Sequence, residues 1–507
     1  MRDMIRPASP PTANWRDDYL RKLVSTEDAA GVVKSGDRVV FPTASLARVV
    51  PAALAARRDE LENVTIDTVG APMATLGDFF QEDAEQAFHT TSWFFGDFVR
   101  TAPRGGDSKY TVYRPETYSM MMKPFEERPA ECPFTIDVVI VSVSPPDPHG
   151  YCSFGAHLWT KRSYCRRAKI VIAEVNENHL HTGGVNYIQV SEIDYLVEHT
   201  PSSPTDEQER VLLGAIASDV RAFVDPLLPS VPHSSQLAIL NVLAAVDLDT
   251  ARILFGKMSL GDPPEEAKKI TQFVSELIRD GDTFQIGVGA LSLWITPCGA
   301  FDDKRDLGMH SEVTAPGYGR LVTEGIVTGR HKSFRPGKVT TSAFSGSHQE
   351  DLALIDNNPI FEQYDTEYTN DIRTVSAIDN FVAINNAISV DLTGQINAET
   401  GIGSRMINGP GGQVEMHIGA ILSRGGRAIT LLPSTALGGA VSRIVPHLDQ
   451  GAVVTIPRYF TDYIVTEYGI ARLLGKDNRQ RAEALTSVAH PDFRADLRKA
   501  AGDSFYP

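Results

Sequence analysis

Two runs of this chain are almost wholly apolar and β-branched: residues 136–143 (IDVVIVSV) and residues 169–175 (KIVIAEV). A strand with one face in water alternates apolar and polar residues. Runs like these belong instead to strands buried on both faces, as in parallel sheets covered by helices. Two further strand-like runs lie at 38–41 and 64–69, with a helix-like stretch at 49–58 between them. The alternation predicts an open α/β fold with parallel strands.

The second half restarts the pattern. Residues 262–281 (DPPEEAKKITQFVSELIRDG) form the clearest helix in the chain. Asp262 suits the N-cap, Pro263 the first helical position and Gly281 the position just past the end. Ile270, Phe273, Val274, Leu277 and Ile278 recur at the spacing of one buried helix face. A Gly281-Asp282 turn then feeds the strand TFQIG. The same device stands at 25–41 (STEDAAGVVKSGDRVVF), with Gly36-Asp37 at its turn. The repetition predicts a duplicated α/β domain, against the simpler alternative of a commonplace helix-to-strand connection. A boundary after the helical segment 205–224 divides the chain into an arm at 1–14, one domain at 15–230 and a second at 231–507.

Charge and cysteine usage narrow the function. A net charge of −16 and a pI near 5.3 exclude a general nucleic-acid binder, so any polyanionic ligand must be held by local donors. Cys132, Cys152, Cys165 and Cys298 form no CxxC pair and suit a reduced compartment. No apolar run is long enough to span a bilayer, so no membrane role is expected. The N-terminal residues lack a signal-peptide core. Their arginines keep the mitochondrial matrix as a second placement after the cytoplasm, and their aspartates weigh against it.

The candidate chemistry gathers around glycines. Gly287-Val288-Gly289 follows a strand directly, a position from which backbone N–H groups can face a phosphate or acyl oxygen. A dinucleotide fingerprint would need a third glycine where Ser292 stands, and Pro297 and Gly299 break the segment that would carry its long helix. Downstream, DLGMHSEV (306–313) places Glu312 beside His310 and Ser311. His310-x-Glu312 resembles the start of a zinc-deaminase signature, but no P-C-x-x-C follows, so no metal is expected. His310 and Ser311 read as residues that orient Glu312, either packed behind it or in a turn. A second glycine cluster, NGPGGQ, occupies 408–413. By itself Glu312 reads first as a salt-bridged surface or turn residue. Together with a backbone anion cradle it suggests covalent acyl chemistry on a carboxylate.

A resemblance sharpens this. The segments VSPPDPHGYCSFG, AKIVIAEVN, DLGMHSEV, DNNP, YTND, NFVAINNAISVDLTGQINAE, NGPGGQVE, LLPSTALGGAVSRIVP, VVTIPRYFTDYIVTEYGIARLLGK and AHPDF resemble the acetyl-CoA hydrolase/transferase family in order. That family includes acetate, succinate, propionate and 4-hydroxybutyrate CoA-transferases, and the likeness runs from about Trp15 to about Ala501. It implies two tandem CoA-transferase-type open α/β domains with the active site in the cleft between them. It places the family's glutamate nucleophile on Glu312. The CoA-contacting turn falls on Gly287, Val288, Gly289, Ala290 and Leu291. The second CoA- and oxyanion-binding loop falls on Asn408, Gly411 and Gly412, and an asparagine that orients the reacting carboxylate falls on Asn370.

The implied activity is transfer of CoA between an acyl-CoA and a free carboxylic acid through a glutamyl-CoA thioester. An acyl-CoA hydrolase using the same glutamate is the alternative, and a catalytically silent CoA or sugar-phosphate sensor is a rival of another class. Coenzyme A enters as a substrate, with no tightly bound cofactor. The expected partners are acyl-CoA, a small carboxylic acid and a second copy of the chain in a homodimer. The chain departs from the family pattern at ALSLWITPCGAF, which contains Trp294, and at VTAPGYG, which contains Tyr318; either ring is a candidate to reshape the acyl pocket. His149, Tyr151 and Ser153 are candidate acid-binding groups, or plain turn residues.

Overall fold

The structure is a computed structural model that describes residues 14–68, 77–94, 111–128, 130–132, 135–201, 205–344 and 347–505. Two compact units emerge. The first comprises 1–200, 357–370 and 406–412, and the second 201–356, 371–405 and 413–507. The expected arm at 1–14 lies outside the described residues except for Asn14.

In the first unit the strand order is Tyr195–Glu198, Ile170–Val175, Val138–Val143, Arg38–Phe41, Val64–Thr68, Phe88–Ser92, Thr111–Tyr113. Every neighbouring pair is parallel. All six residues of Val138–Val143 are buried, as a strand covered on both faces requires. In the second unit the order runs Gly469–Arg472, Tyr463–Thr466, Arg427–Leu431, Phe381–Asn386, Thr283–Ile286, Gly308–Val313, Val339–Ala343. These pairs are parallel apart from the terminal hairpin between Tyr463–Thr466 and Gly469–Arg472.

The two orders correspond strand by strand over six positions. In each, the strand that follows the Gly-Asp turn lies centrally and the chain winds outward to either side of it. The turns themselves match. Asp37 Oδ2 accepts from Lys34 N at 2.8 Å, and Asp282 Oδ2 accepts from Arg279 N at 2.7 Å. Gly36 and Gly281 both have positive φ, 83° and 77°, which suits glycine. The repeated helix–turn–strand device therefore marks two α/β units of common winding.

Two details differ from expectation. Helix Glu265–Leu277 starts after Pro264, which takes the N-cap place, and ends at the extended C-cap Ile278, so Asp262 and Pro263 lie outside it and Gly281 does not directly follow it. Consecutive prolines hold Asp262 and Pro263 away from helical backbone angles. The other difference concerns the division of the chain. The helices Asp206–Ala215, Ser218–Val224, His233–Leu243 and Leu248–Lys257 share one core, in which Val220, Val224, Val231, Leu243 and Phe255 are fully buried. A cut at 230/231 would pass through that core, and the compact units part at 200/201 instead. Among the described residues no helix is long and apolar enough to cross a membrane.

Candidate active site

In open α/β sheets, ligands bind beyond the C-terminal strand ends, where the winding reverses. In the second unit that point lies between the neighbouring strands Thr283–Ile286 and Phe381–Asn386. The first of these ends at Ile286, just before Gly287, and the second at Asn386. The N–H of Gly287 is not a ligand donor, because it still completes the sheet by donating to Ile384 O at 2.8 Å. Beyond it, the N–H groups of Val288, Gly289, Ala290 and Leu291 have no partner among the described residues. Val288 is 63% exposed although apolar, so its side chain does not explain the turn.

Neither Gly287 nor Gly289 has positive φ. Their need for glycine is one of space. A Cβ on Gly287 would overlap Asn385 Oδ1, and a Cβ on Gly289 would overlap the amide of Asn386. Both asparagines are held. Asn385 exchanges amide hydrogen bonds with Gln285, at 3.2 and 3.4 Å. Asn386 Nδ2 donates to Ser292 Oγ at 2.7 Å and its Oδ1 accepts from Ser292 N at 3.2 Å. Ser292 Oγ in turn donates to the carbonyls of Gly287 and Gly289. The residue that breaks the dinucleotide fingerprint is thus the one that closes this turn. The segment continues as a single 3₁₀ turn, Ser292–Trp294, so the long phosphate-capping helix is absent, as Pro297 and Gly299 imply.

Glu312 is the penultimate residue of the strand Gly308–Val313 and is partly exposed. This strand is parallel to Thr283–Ile286, with Phe284 opposite Met309. Counting on from that pair, Gly287 and Glu312 are each three residues along, so carboxylate and turn share the C-terminal edge of the sheet. Glu312 O accepts from Thr341 Oγ1 at 3.0 Å. His310 and Ser311 lie within the strand, not in a turn, and are fully buried. The His310 ring meets Phe381 edge-on at 6.2 Å, while Ser311 Oγ donates to Val313 O at 2.5 Å. They anchor the strand that presents Glu312.

The backbone just after Glu312 is clamped by a carboxylate the sequence reading missed. Asp351, 1% exposed, accepts from Gly317 N at 3.0 Å, Gly319 N at 2.9 Å and His348 N at 3.1 Å. Trp294 and Tyr318, the candidates for reshaping an acyl pocket, are 3% and 1% exposed, and Tyr318 packs on Phe344. Burial pushes the Tyr318 phenol far above its ordinary range.

Asn370, Asn408, Gly411 and Gly412 belong to the first unit. Asn370 is fully buried and caps the short helix Thr366–Thr369, with its Oδ1 accepting from Thr369 Oγ1 at 3.0 Å. Asn408 is partly buried. The N–H groups of Gly411 and Gly412 have no partner among the described residues. Tyr118 connects these segments. Its carbonyl accepts from Thr366 Oγ1 at 3.3 Å, and its ring would lie 3.7 Å from a Cβ placed on Gly411. Gly409 is closer still to Phe94 and Tyr113, where a Cβ would stand 3.2 Å from each side chain. No sequence signal singles out these aromatic residues.

In the loop after Val138–Val143, His149 is exposed, and its N–H and that of Tyr151 donate to Asp147 Oδ1 at 2.8 and 2.9 Å. Ser153 is buried and donates to Leu180 O at 2.7 Å, a structural use of its hydroxyl.

Family models match both halves of the chain: the acetyl-CoA hydrolase/transferase N-terminal domain over residues 10–204, and the C-terminal domain over 348–501. The 4-hydroxybutyrate coenzyme A transferase of Clostridium kluyveri is 34% identical over 95% of this chain and 98% of its own. The succinyl-CoA:cyclohexane-1-carboxylate CoA transferase of Geobacter metallireducens is 31% identical over 96% and 97%. Acetyl-CoA hydrolase of Saccharomyces cerevisiae matches at 34% over 23% of this chain and 22% of its own. Among solved structures, RipA from Yersinia pestis superposes with a TM-score of 0.77 at 28% identity, covering 97% of this chain and 99% of its own. The 4-hydroxybutyrate CoA-transferase of Porphyromonas gingivalis gives 0.70 at 29%, covering 97% and 100%. With full-length likeness in sequence and in fold, the chain belongs to the acetyl-CoA hydrolase/transferase family.

Proposed function

We propose that this protein is a CoA-transferase that moves CoA between an acyl-CoA and a free carboxylic acid, with Glu312 as nucleophile. The observation that carries the reading is the shared sheet edge of Glu312 and the N–H groups of residues 288–291, which have no partner among the described residues. The carboxylate attacks the thioester carbonyl, and the tetrahedral intermediate places negative charge on oxygen. Preorganised N–H donors stabilise that charge, each worth about 3 kcal/mol in such sites. In this reading Gly411 and Gly412 supply oxyanion donors. Asn408 and the turn 287–291 hold CoA, the donors of the turn being residues 288–291, and Asn370 orients the reacting carboxylate.

Collapse expels CoA thiolate and leaves a mixed anhydride on Glu312. The thiolate attacks the glutamyl carbonyl, releasing the first acid and forming a glutamyl-CoA thioester. A second carboxylate reverses both steps and leaves as the new acyl-CoA. One thioester is exchanged for another, so no ATP is consumed. A carboxylate is already ionised at neutral pH, so no base has to activate it.

Mass spectrometry after incubation with acetyl-, propionyl-, succinyl- or butyryl-CoA, with borohydride reduction, tests this. Conversion of Glu312 to its alcohol, absent in Glu312→Ala, is the expected result, and no modification with any donor overturns the mechanism. Hydrolysis is the second reading, favoured by the partial match to acetyl-CoA hydrolases. Thioester loss that does not depend on an added acid would select it. A cytoplasmic homodimer completes the proposal, testable by cell fractionation and sedimentation.

A further inference from the structure

The first unit buries an amine that has no hydrogen-bond partner among the described residues. Lys161 opens the helix Lys161–Cys165 and is 0% exposed, with Nζ unsatisfied. Buried ionisable groups of this kind are costly unless paired, and an unsatisfied buried donor calls for an explanation. The two residues before it repeat the pattern: Trp159 Nε1 and Thr160 Oγ1 are also buried donors with no partner among the described residues.

The amine acts on two imidazoles, that of His157, which precedes the helix, and that of His179, which follows the strand Ile170–Val175, and both are lowered by its charge. Cys165, one turn along the helix, is an acidic neighbour that acts on the amine itself. Among the described residues, no carboxylate contributes to the field at Lys161 or His179. The group is held in place: Ser142 Oγ lies 2.8 Å from His179 Nε2, and a Cβ on Gly155 would collide with the His179 ring.

We propose that Lys161, with His157 and His179 beside it, binds a small monovalent anion, either a halide or a short carboxylate. The complete burial of Lys161 excludes nucleotides and other large anions. Burial, with Cys165 opposing it, brings the amine down to about 7, and burial together with Lys161 holds both imidazoles near 3. An anion favours the charged amine, so it binds together with a proton. Above pH 7 that proton must come from solution, and affinity falls by up to about tenfold per pH unit.

The test uses the full-length protein, with sodium bromide or sodium acetate titrated at constant ionic strength against a bulky gluconate background. The expected result is a saturable rise in Tm with one or both salts, weakening about tenfold per pH unit from pH 7 to 9. Response to bromide alone identifies a halide site, and response to acetate a carboxylate site. Lys161→Met should abolish the response, and Glu312→Ala should retain it, because no residue of the proposed reaction takes part. Equal shifts in wild type and Lys161→Met overturn the proposal. If Lys161→Met does not fold, wild-type crystals soaked in bromide and in acetate decide alone. An ordered anion within about 3.5 Å of Nζ supports the site, and only water there in both soaks overturns it.

Discussion

Gly289 and Asn386 are complementary: the asparagine amide occupies the space that a Cβ at Gly289 would take. Asn386 is locked by two hydrogen bonds to Ser292, which also ties down the carbonyls of both turn glycines. The turn is shaped by its neighbour's side chain, not by a left-handed backbone.

Gly289→Ala should therefore cost about 1–3 kcal/mol, the usual penalty for overpacking a close contact, with a larger fall in kcat/KM. Adding Asn386→Ala should return part of the stability, because the collision is gone, but not the activity. Urea denaturation of the two single variants and the double variant measures the coupling. Strict additivity would mean the two residues do not oppose each other.

Glu312→Gln should reduce turnover by at least about 10³-fold, the scale on which losing a covalent nucleophile is felt. A partly exposed side chain at a strand end contributes little to folding, so stability should change by no more than about 1 kcal/mol. Steady-state transfer rates and thermal melts separate the two effects. Near-normal turnover would remove the glutamate from the mechanism.

Asp351→Ala strips three backbone donors of a buried acceptor. A cost of about 2–4 kcal/mol is expected, with disorder spreading into the loop that follows Glu312. Hydrogen exchange over residues 314–323 should accelerate more than in the first unit. Uniform acceleration would show that the clamp has no local role.

Asp365 supplies a pH signature. It is 9% exposed, and burial followed by repulsion from Glu367 raises its carboxyl to about 7, with Arg162 4.0 Å away opposing the shift. A carboxyl with a raised folded value favours the protonated fold. Its contribution is most favourable below the unfolded value near 4 and is lost as pH rises through 7. Three pH units correspond to roughly 4 kcal/mol at most. Asp365→Asn should remove this slope, so its stability relative to wild type should improve from pH 4.5 to 8. A difference that stays flat across that range would contradict the shifted carboxyl.

Much of the architecture was legible along the chain. The nearly continuous apolar runs at 136–143 and 169–175 read as strands covered on both faces, and residues 138–143 and 171–175 are buried. The two Gly-Asp turns announced units of like winding because the backbone there needs positive φ, and Asp caps the preceding turn in both. Ordered motifs identified the family and pointed to Glu312.

What the chain could not show is whatever depends on segments distant in sequence coming together. Whether His310 and Ser311 pack behind Glu312 or lie in a turn stayed open along the chain, and pairing with Thr340 and Thr341 draws them into a buried strand. The space that demands glycine at 287 and 289 is set by Asn385 and Asn386, almost 100 residues later, and reaches them only through sheet register. Residues 357–370 and 406–412 join the first unit although they follow most of the second in sequence. The sequence alone determined which residue types were available and the local periods that make strands and helices, because sterics and alternation act between near neighbours. Only the tertiary structure decided which of those residues share an edge, since that depends on long-range pairing and burial.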